Sequence, residues 1–264
     1  MLLNGKVAIV YGGGGAIGGA SARAFAREGA QVFLAGRTLA RLDAVARAIR
    51  AAGGVAHCAV LDALDEAAVE AHAEAVAAEA GRIDIALNAV GFVHVQGTSF
   101  AQLSFADYAH PLAAYTRANF LTAKAVAGHM VRQRSGVILT LSTPGARLAG
   151  IGFLGNGVAS AGVEAFSRLL AAELGASGVR VVCVRPDAIP EAAASHAGKV
   201  FAEVAERMGT TVDAMLAERA RSATLLQRLP TLAQVADTIA YVASDRAGAM
   251  TGAIVNLSCG SLVD

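Results

Sequence analysis

An apolar run meets a glycine-rich turn near the start of the chain, in Lys6-Val7-Ala8-Ile9-Val10-Tyr11-Gly12-Gly13-Gly14-Gly15-Ala16-Ile17-Gly18-Gly19. The first six residues are typical of a buried strand, and Ala20–Glu28 continues after the turn with a helical pattern. Glycine lets the backbone turn tightly and come close to a ligand. Because the free N–H groups and the positive dipole end of the helix face the same gap, this arrangement favours a bound diphosphate.

Two registers of the glycine pattern fit equally well. G-x-G-x-x-G occurs as Gly13, Gly15 and Gly18, and a second reading runs from Gly12 to Ala16-Ile17-Gly18. A glycine pattern alone is weak evidence, and a turn without a ligand is the alternative. The strand before it and the helix after it favour a dinucleotide.

Composition excludes several classes of protein. The 264 residues carry a net charge of +1 without a basic block, so neither nucleic acid nor an anionic membrane is predicted as a partner. A hydrophobic fraction of 55% is ample for one large core in a single domain, residues 1–264. No apolar run is long enough for a bilayer and no leader pattern is present, so a cytoplasmic location is expected.

Strands and helices alternate along the whole chain. Further strands are predicted over Gln31–Ala35, Val55–Val60, Ile83–Leu87, Val137–Leu141, Val179–Val184 and Ala253–Leu257. The principal helices between them are Leu39–Ala51, Asp65–Ala80, Leu112–Arg134, Val158–Leu174 and Leu232–Ser244, and the segment Arg147–Gly157 is predicted to be a loop. This alternation predicts an α/β fold with a doubly wound, parallel, seven-stranded sheet.

Polar residues mark the ends of these strands. Arg37, Asp62, Asn88, Ser142 and Pro186 all fall there, and ligands of such sheets lie beyond the carboxyl ends of the strands. The second strand ends in Gly36-Arg37 instead of the acid that would bind the ribose of NAD, so Arg37 is expected to pair with the 2′-phosphate of NADP. A solvated arginine is the alternative, and Thr38 is predicted to cap the next helix.

Together these motifs make the chain similar to the short-chain dehydrogenase/reductase family over nearly its whole length. The family's T-G-x-x-x-G-I-G turn appears as Tyr11 to Gly18, its N-N-A-G as Asn88-Ala89-Val90-Gly91, and its C-terminal signature in Arg228-Leu229-Pro230 and Thr251-Gly252. The resemblance implies a Rossmann fold and an NADP(H) site. The implied cofactor-binding residues are Gly12, Gly14, Gly15, Ala16, Ile17, Gly18, Arg37, Thr38, Asp62, Ala63, Asn88, Ala89, Val90, Gly91, Pro186 and Ile189.

The same resemblance places a catalytic pair, Tyr-x-x-x-Lys, at the start of the helix through Val158–Leu174. Here Asn156 stands at the tyrosine and Ser160 at the lysine. The shifted registers, Gly157 with Ala161 or Phe153 with Ser160, also lack the pair. Asn119 matches the family's active-site asparagine, and Ser142 or Thr143 its serine. Without a general acid a rate loss of about 10²–10⁴ is expected, which leaves a slow or specialised reductase.

Other residues are candidates to replace the missing tyrosine, and each also has a purely structural interpretation. Ser142 or Thr143 is a candidate hydrogen-bond donor to a carbonyl oxygen, or simply caps the strand end. Tyr115 lies four residues before Asn119 on one helix face, and is a candidate acid or a core aromatic. Tyr11 replaces a small family residue and is interpreted as a packing change.

Two functions remain. The first is an NADP(H)-dependent oxidoreductase acting on a small or medium apolar carbonyl, alcohol or enone, with residues 188–230 as substrate lid. Ile189, Phe201, Met208, Met215, Leu225 and Leu226 would give the lid its apolar surface, and Gly198 and Gly209 its flexibility. Helices that close the core or a subunit contact are the alternative for this segment. The second function is a catalytically impaired subunit that binds NADP(H) as a sensor or structural protein.

Hydrolase and zinc chemistry are not predicted. Thr140 and Pro144 flank Ser142 where a nucleophile elbow needs glycines. The six histidines lack metal-ligand spacing and are interpreted as surface or satisfied core residues, so no metal is expected. The family resemblance further implies a homotetramer or homodimer formed through the helices Leu112–Arg134 and Val158–Leu174.

Overall fold

One parallel sheet organises residues 1–263, the part of the chain that the computed structural model describes. Its strands lie in the order β3-β2-β1-β4-β5-β6-β7. Their bounds are β1 Val7–Tyr11, β2 Gln31–Gly36, β3 Val55–Val60, β4 Ile85–Asn88, β5 Gly136–Leu141, β6 Val179–Pro186 and β7 Ile254–Leu257. The predicted doubly wound, seven-stranded α/β fold is confirmed.

Helices cover both faces of this sheet. They are α1 Ala16–Arg27, α2 Leu39–Ala51, α3 Glu66–Ala80, α4 Phe105–Gln133, α5 Leu154–Leu174, α6 Lys199–Arg207, α7 Val212–Ala223 and α8 Leu232–Ala243. Among the described residues no helix is long and apolar enough to span a bilayer.

The two-residue period of the strands divides the core into two layers. In β1, Ala8 and Val10 pack with α1, α2 and α8, whereas Val7, Ile9 and Tyr11 pack with α3, α4 and α5. Alternate side chains of a strand point to opposite faces, so the continuous apolar run of β1 is buried on both sides. Strand β1 is therefore an interior strand of the sheet, between β2 and β4.

Two predicted helix starts were wrong because tertiary packing outweighed local glycine and proline signals. Helix α4 begins at Phe105 instead of Leu112; Ser104 caps it by accepting from Asp107 N at 3.1 Å, and Pro111 is accommodated within the helix. Helix α5 begins at Leu154 instead of Val158, so the predicted loop through Gly157 is partly helical. A Cβ at Gly155 would lie 3.1 Å from Tyr108 O, so this glycine allows close contact with α4.

Other predicted element boundaries lie closer to the observed ones. Strand β4 begins at Ile85 because the Gln133 side chain binds Ile83 N at 2.9 Å and Ile83 O at 2.8 Å, which keeps Ile83 out of the ladder. Helix α3 begins at Glu66, one residue after the predicted start, because Asp65 is its N-cap and accepts from Ala68 N. Thr38 is the N-cap residue of α2 as predicted, but its side chain makes no capping hydrogen bond.

Candidate active site

A cavity of about 730 Å³ opens at the carboxyl edge of the sheet, where the strand order reverses between β1 and β4. Tyr11 of β1 pairs with Asn88 of β4 at this edge. Such a reversal leaves a crevice outside the strand ends, and ligands of open α/β sheets bind there. The cavity extends from the glycine turn to the segment 188–230, so both parts of the chain line one continuous space.

The glycine turn adopts the register that runs from Gly12 to Gly18. Gly12 has φ +77°, and a Cβ there would lie 2.4 Å from Ala89 O. A Cβ at Gly18 would lie 2.3 Å from Gly12 O. Both positions therefore require glycine, whereas Gly13 has no positive φ.

The glycine turn also presents backbone N–H groups that have no acceptor within the helix. Gly15 stands at the cap of α1 without a side-chain capping bond, and the first turn contains no acidic residue. The first N–H groups of a helix have no intrahelical acceptor. Since Ala16 and Ile17 line the cavity, these donors face its space, and the donor set fits the diphosphate of a dinucleotide.

Most predicted cofactor residues line this one cavity. Those that do are Gly12, Gly14, Gly15, Ala16, Ile17, Arg37, Thr38, Asp62, Ala63, Ala89, Val90, Gly91, Pro186 and Ile189. Gly18 lies behind the turn. Asn88 is also outside the lining: its Nδ2 donates to Thr122 Oγ1 at 2.9 Å and its Oδ1 accepts from Val90 N at 3.1 Å. Asn88 therefore braces the strand end instead of facing a ligand.

The rim of the cavity beyond β2 is basic. Arg37 and Arg41 line it from one side and His196 from the other. Burial, followed by the charges of Lys199, Arg37 and Arg41, lowers the pKa of His196. Three cations thus lie within electrostatic reach of one imidazole at this rim.

A small polar triangle stands at the start of α5. Thr143 Oγ1 and Ser160 Oγ are 3.0 Å apart, and Asn156 Nδ2 lies 3.5 Å from Thr143 Oγ1. Thr143 and Asn156 line the cavity, while Ser160 is buried behind them. None of these three side chains ionises near neutral pH, so the triangle can hold an oxygen by hydrogen bonds but supplies no strong acid.

Ser142 also lines the cavity, but its side chain belongs to a different, buried network. Its Oγ donates to Glu164 Oε1 at 2.8 Å. Arg185 donates to the same carboxylate at 2.7 and 3.0 Å. A hydroxyl has one proton, so the proton of Ser142 is engaged by Glu164, and Thr143 is the hydroxyl that faces Asn156.

Asn119 lies outside the cavity. Its Nδ2 donates to Tyr115 O at 2.9 Å, one turn back along α4, and its buried Oδ1 has no hydrogen-bond partner within residues 1–263. The structure therefore brings together Ser142, Thr143 and Asn156 at the cavity surface, with Ser160 and Asn119 behind it.

The cavity lining also contains His94, whose ring is held by two hydrogen bonds. His94 Nδ1 lies 2.8 Å from Phe92 O and His94 Nε2 lies 2.7 Å from Gln96 Nε2. A carbonyl accepts only and an amide nitrogen donates only, so Nδ1 carries the proton and the ring is neutral. Burial lowers the pKa of His94, which agrees with this tautomer. Burial also raises the pKa of the neighbouring Tyr115.

Two contacts hold the segment 188–230 over the cavity. On α7, Arg219 donates to Asp187 at 2.7 and 3.0 Å, at the end of β6. On α6, Arg207 donates to Gln96 O. Ile189, Phe201, Met208 and Met215 line the cavity as predicted.

Three details of this segment were predicted wrongly. Leu225 and Leu226 do not line the cavity and are exposed at the surface, because α7 ends at Ala223 and the chain turns outward. Gly198 is buried, and a Cβ there would lie 2.3 Å from Ala193 O, so it serves close packing instead of flexibility.

The sequence interpretation missed several residues at the site: His94, Gln96, Arg41, Asp187, His196 and Arg219. Arg41 could have been identified from the sequence, because it lies in the first turn of the helix that follows Arg37. The histidines and Arg219 carried no signal, since only the folded chain brings them to the cavity.

Comparison with known proteins agrees with this geometry. A family model described as enoyl-(acyl carrier protein) reductase matches residues 14–261. The short-chain reductase protein NovJ of Streptomyces niveus is 32% identical, over 97% of this chain and 93% of the relative. The 7alpha-hydroxysteroid dehydrogenase of Clostridium sardiniense is 30% identical, over 98% and 94%. The crystal structure of NAD+-bound xylitol dehydrogenase superposes with a TM-score of 0.89 at 21% identity, over 98% of this chain and all of that one.

The fold and the cavity at its switch point thus define a dinucleotide-binding oxidoreductase. The chain belongs to the short-chain dehydrogenase/reductase family. Proteins with this fold bind NAD(H) or NADP(H) and act on small molecules.

Proposed function

We propose that this protein is an NADP(H)-dependent oxidoreductase with an atypical active site, acting on a small or medium apolar carbonyl, alcohol or enone. One observation carries the proposal: the glycine turn, the basic rim and the triangle Thr143–Asn156–Ser160 share one cavity. A dinucleotide lying along this edge would extend from the basic rim to the triangle.

The preference for NADP(H) rests on the end of β2. Gly36 and Arg37 stand where an acidic residue would bind the ribose hydroxyls of NAD, and Arg37 has no carboxylate partner within residues 1–263. A guanidinium binds phosphate through a planar pair of donors, so Arg37 is suited to the 2′-phosphate. The Asp62 carboxylate, on the same side of the cavity, would bind the adenine.

The catalytic residues differ from the usual pair. Helix α5 contains neither tyrosine nor lysine, and Asn156 and Ser160 occupy the positions that the family resemblance assigns to them. The bound nicotinamide would supply or accept the hydride. Thr143 and Asn156 would hold the substrate oxygen, and the proton would come from solvent in a reduction and be released to solvent in an oxidation, since the triangle contains no acid or base to exchange it.

The substrate would be largely apolar with one polar group. Phe92, Leu148, Phe153, Phe201 and Met215 provide apolar surface between the triangle and the lid. His94 and Gln96 add polar groups to the lining of the same cavity. Apolar pockets with few polar groups favour ligands of the same kind, which they orient through those groups.

Exposed apolar side chains on the two long helices support a homotetramer or homodimer. Phe105 and Phe120 of α4, together with Leu154, Val158 and Leu169 of α5, are all more than 40% exposed. An apolar face of this kind is stabilised when a second subunit covers it. Sedimentation of the full chain would test this assembly.

Turnover separates the enzyme from the alternative, a sensor or structural subunit that holds NADP(H). The absence of tyrosine and lysine from α5 favours that alternative. NADPH oxidation should be measured over a panel of ketones, aldehydes and enones. In an active protein, Thr143→Val should lower kcat more than Ser142→Ala, because the Ser142 proton is engaged by Glu164. An NADPH-induced rise in melting temperature without turnover on any panel member would favour the sensor.

A further inference from the structure

The basic rim is assembled from two separate parts of the chain. Arg37 follows β2 and Arg41 lies in the first turn of α2. His196 and Lys199 come from the other side, in the loop before α6 and at its first residue. All four side chains are exposed, and Arg37, Arg41 and His196 line the cavity mouth.

No acid balances this group within residues 1–263. None of the four side chains makes an ion pair or a side-chain hydrogen bond there. Other exposed cations of the chain do: Lys124 pairs with Glu66 at 2.7 Å and Arg27 with Asp237 at 2.6 Å. Like charges repel across the gap between α2 and the loop, so an anion between them would be stabilised by both sides.

The loop is held over the cavity by a close contact. Ala197 packs on Gly91, where an added Cβ would lie 2.7 Å from the Ala197 Cβ. Ser195 Oγ accepts from Gly198 N at 3.2 Å and fixes the turn before α6. His196 is therefore carried across the cleft toward Arg37 and Arg41 by a defined loop.

We propose that His196 and Lys199 complete the 2′-phosphate site from the lid side, so that NADP(H), but not NAD(H), draws residues 195–199 onto the adenosine end. This inference rests on the proposed function. The diphosphate cannot give the same selectivity, because both dinucleotides carry it. The two lid residues would thus determine cofactor choice and couple it to closure over the substrate space.

His196 should take up a proton when NADPH binds. The charged groups that lower the pKa of His196 are Lys199 on α6 and Arg37 and Arg41 on the α2 side, after the effect of burial. A phosphate dianion between them opposes this shift, since a nearby negative charge favours the imidazolium. NADPH binding near pH 7 should therefore take up a proton, which is measured as a dependence of the calorimetric heat on the buffer's ionisation enthalpy.

The test is calorimetry of NADPH and NADH with the parent and the His196→Gln, Lys199→Gln variant. Each lost charge-assisted contact weakens binding, so NADPH affinity should fall about tenfold or more while NADH affinity stays the same. Lys124→Gln, which removes an exposed lysine from the outer face of α4, is the control and should change neither. Hydrogen exchange should show residues 195–199 protected more by NADPH than by NADH.

The possible outcomes separate this inference from the proposed function. A parent that binds NADPH no better than NADH would contradict both. A parent that prefers NADPH and a double variant with the same preference would overturn only the role of the lid residues. Equal losses of NADPH and NADH affinity would assign the two residues to the diphosphate and overturn their role in selectivity.

Discussion

Replacing Glu164 by glutamine should destabilise the protein, because it removes a buried carboxylate that pairs with Arg185. The two side chains are only 6% and 2% exposed, and they are joined at 2.7 and 3.0 Å. Glutamine cannot replace the carboxylate as acceptor of both Arg185 bonds, and a hydrogen bond to a charged group is worth about 1.5–3 kcal/mol, so a loss of this order is expected. The same change leaves the Ser142 hydroxyl with a weaker acceptor than a carboxylate.

Urea unfolding followed by circular dichroism would measure this loss. Glu66→Gln breaks an exposed ion pair with Lys124 and is the matched control, for which the unfolding midpoint should stay within error. A Glu164→Gln midpoint equal to that of the control would refute the account of this pair.

Three further changes test the site and the stability of the fold. Arg37→Ala should weaken NADPH binding about tenfold or more and leave NADH binding unchanged in calorimetry, and equal affinities in variant and parent would remove its phosphate role. Gly12→Ala places a Cβ 2.4 Å from Ala89 O at φ +77°, so it should cost more than about 1 kcal/mol and abolish dinucleotide binding, whereas Gly162→Ala, with open space in α5, should not destabilise the fold. Burial lowers the pKa of His72 below its ordinary 6.5, so the unfolded chain binds the proton more readily and stability falls as pH drops from about 7 toward 5. Unfolding at both pH values should show a smaller loss for His72→Leu, and equal losses would contradict this.

The sheet was predictable because its strands are short apolar runs that alternate with helical patterns. The start of α5 was not, because Gly155 and Gly157 argue locally against a helix. In the fold, added Cβ atoms there would lie 3.1 Å from Tyr108 O and 2.9 Å from Gly145 O. The glycines therefore serve contacts that the local sequence does not reveal.

The candidate site was likewise only partly predictable from the sequence. The glycine turn and Arg37 were predictable because neighbouring residues supply their structural context. The choice between Ser142 and Thr143 required the partner of each hydroxyl, Glu164 for one and Ser160 for the other. Likewise, the basic rim depends on a loop far along the chain that returns to the end of β2, so only the folded structure places His196 beside Arg37.

Titration of the full-length protein with NADPH and NADH by calorimetry tests the central claim most directly. A dinucleotide along the carboxyl edge of the sheet predicts saturable binding of one NADPH per chain, tighter than that of NADH. The absence of any heat from either reduced or oxidised dinucleotide up to about 1 mM, where even a weak site of about −4 kcal/mol is half filled, would contradict it.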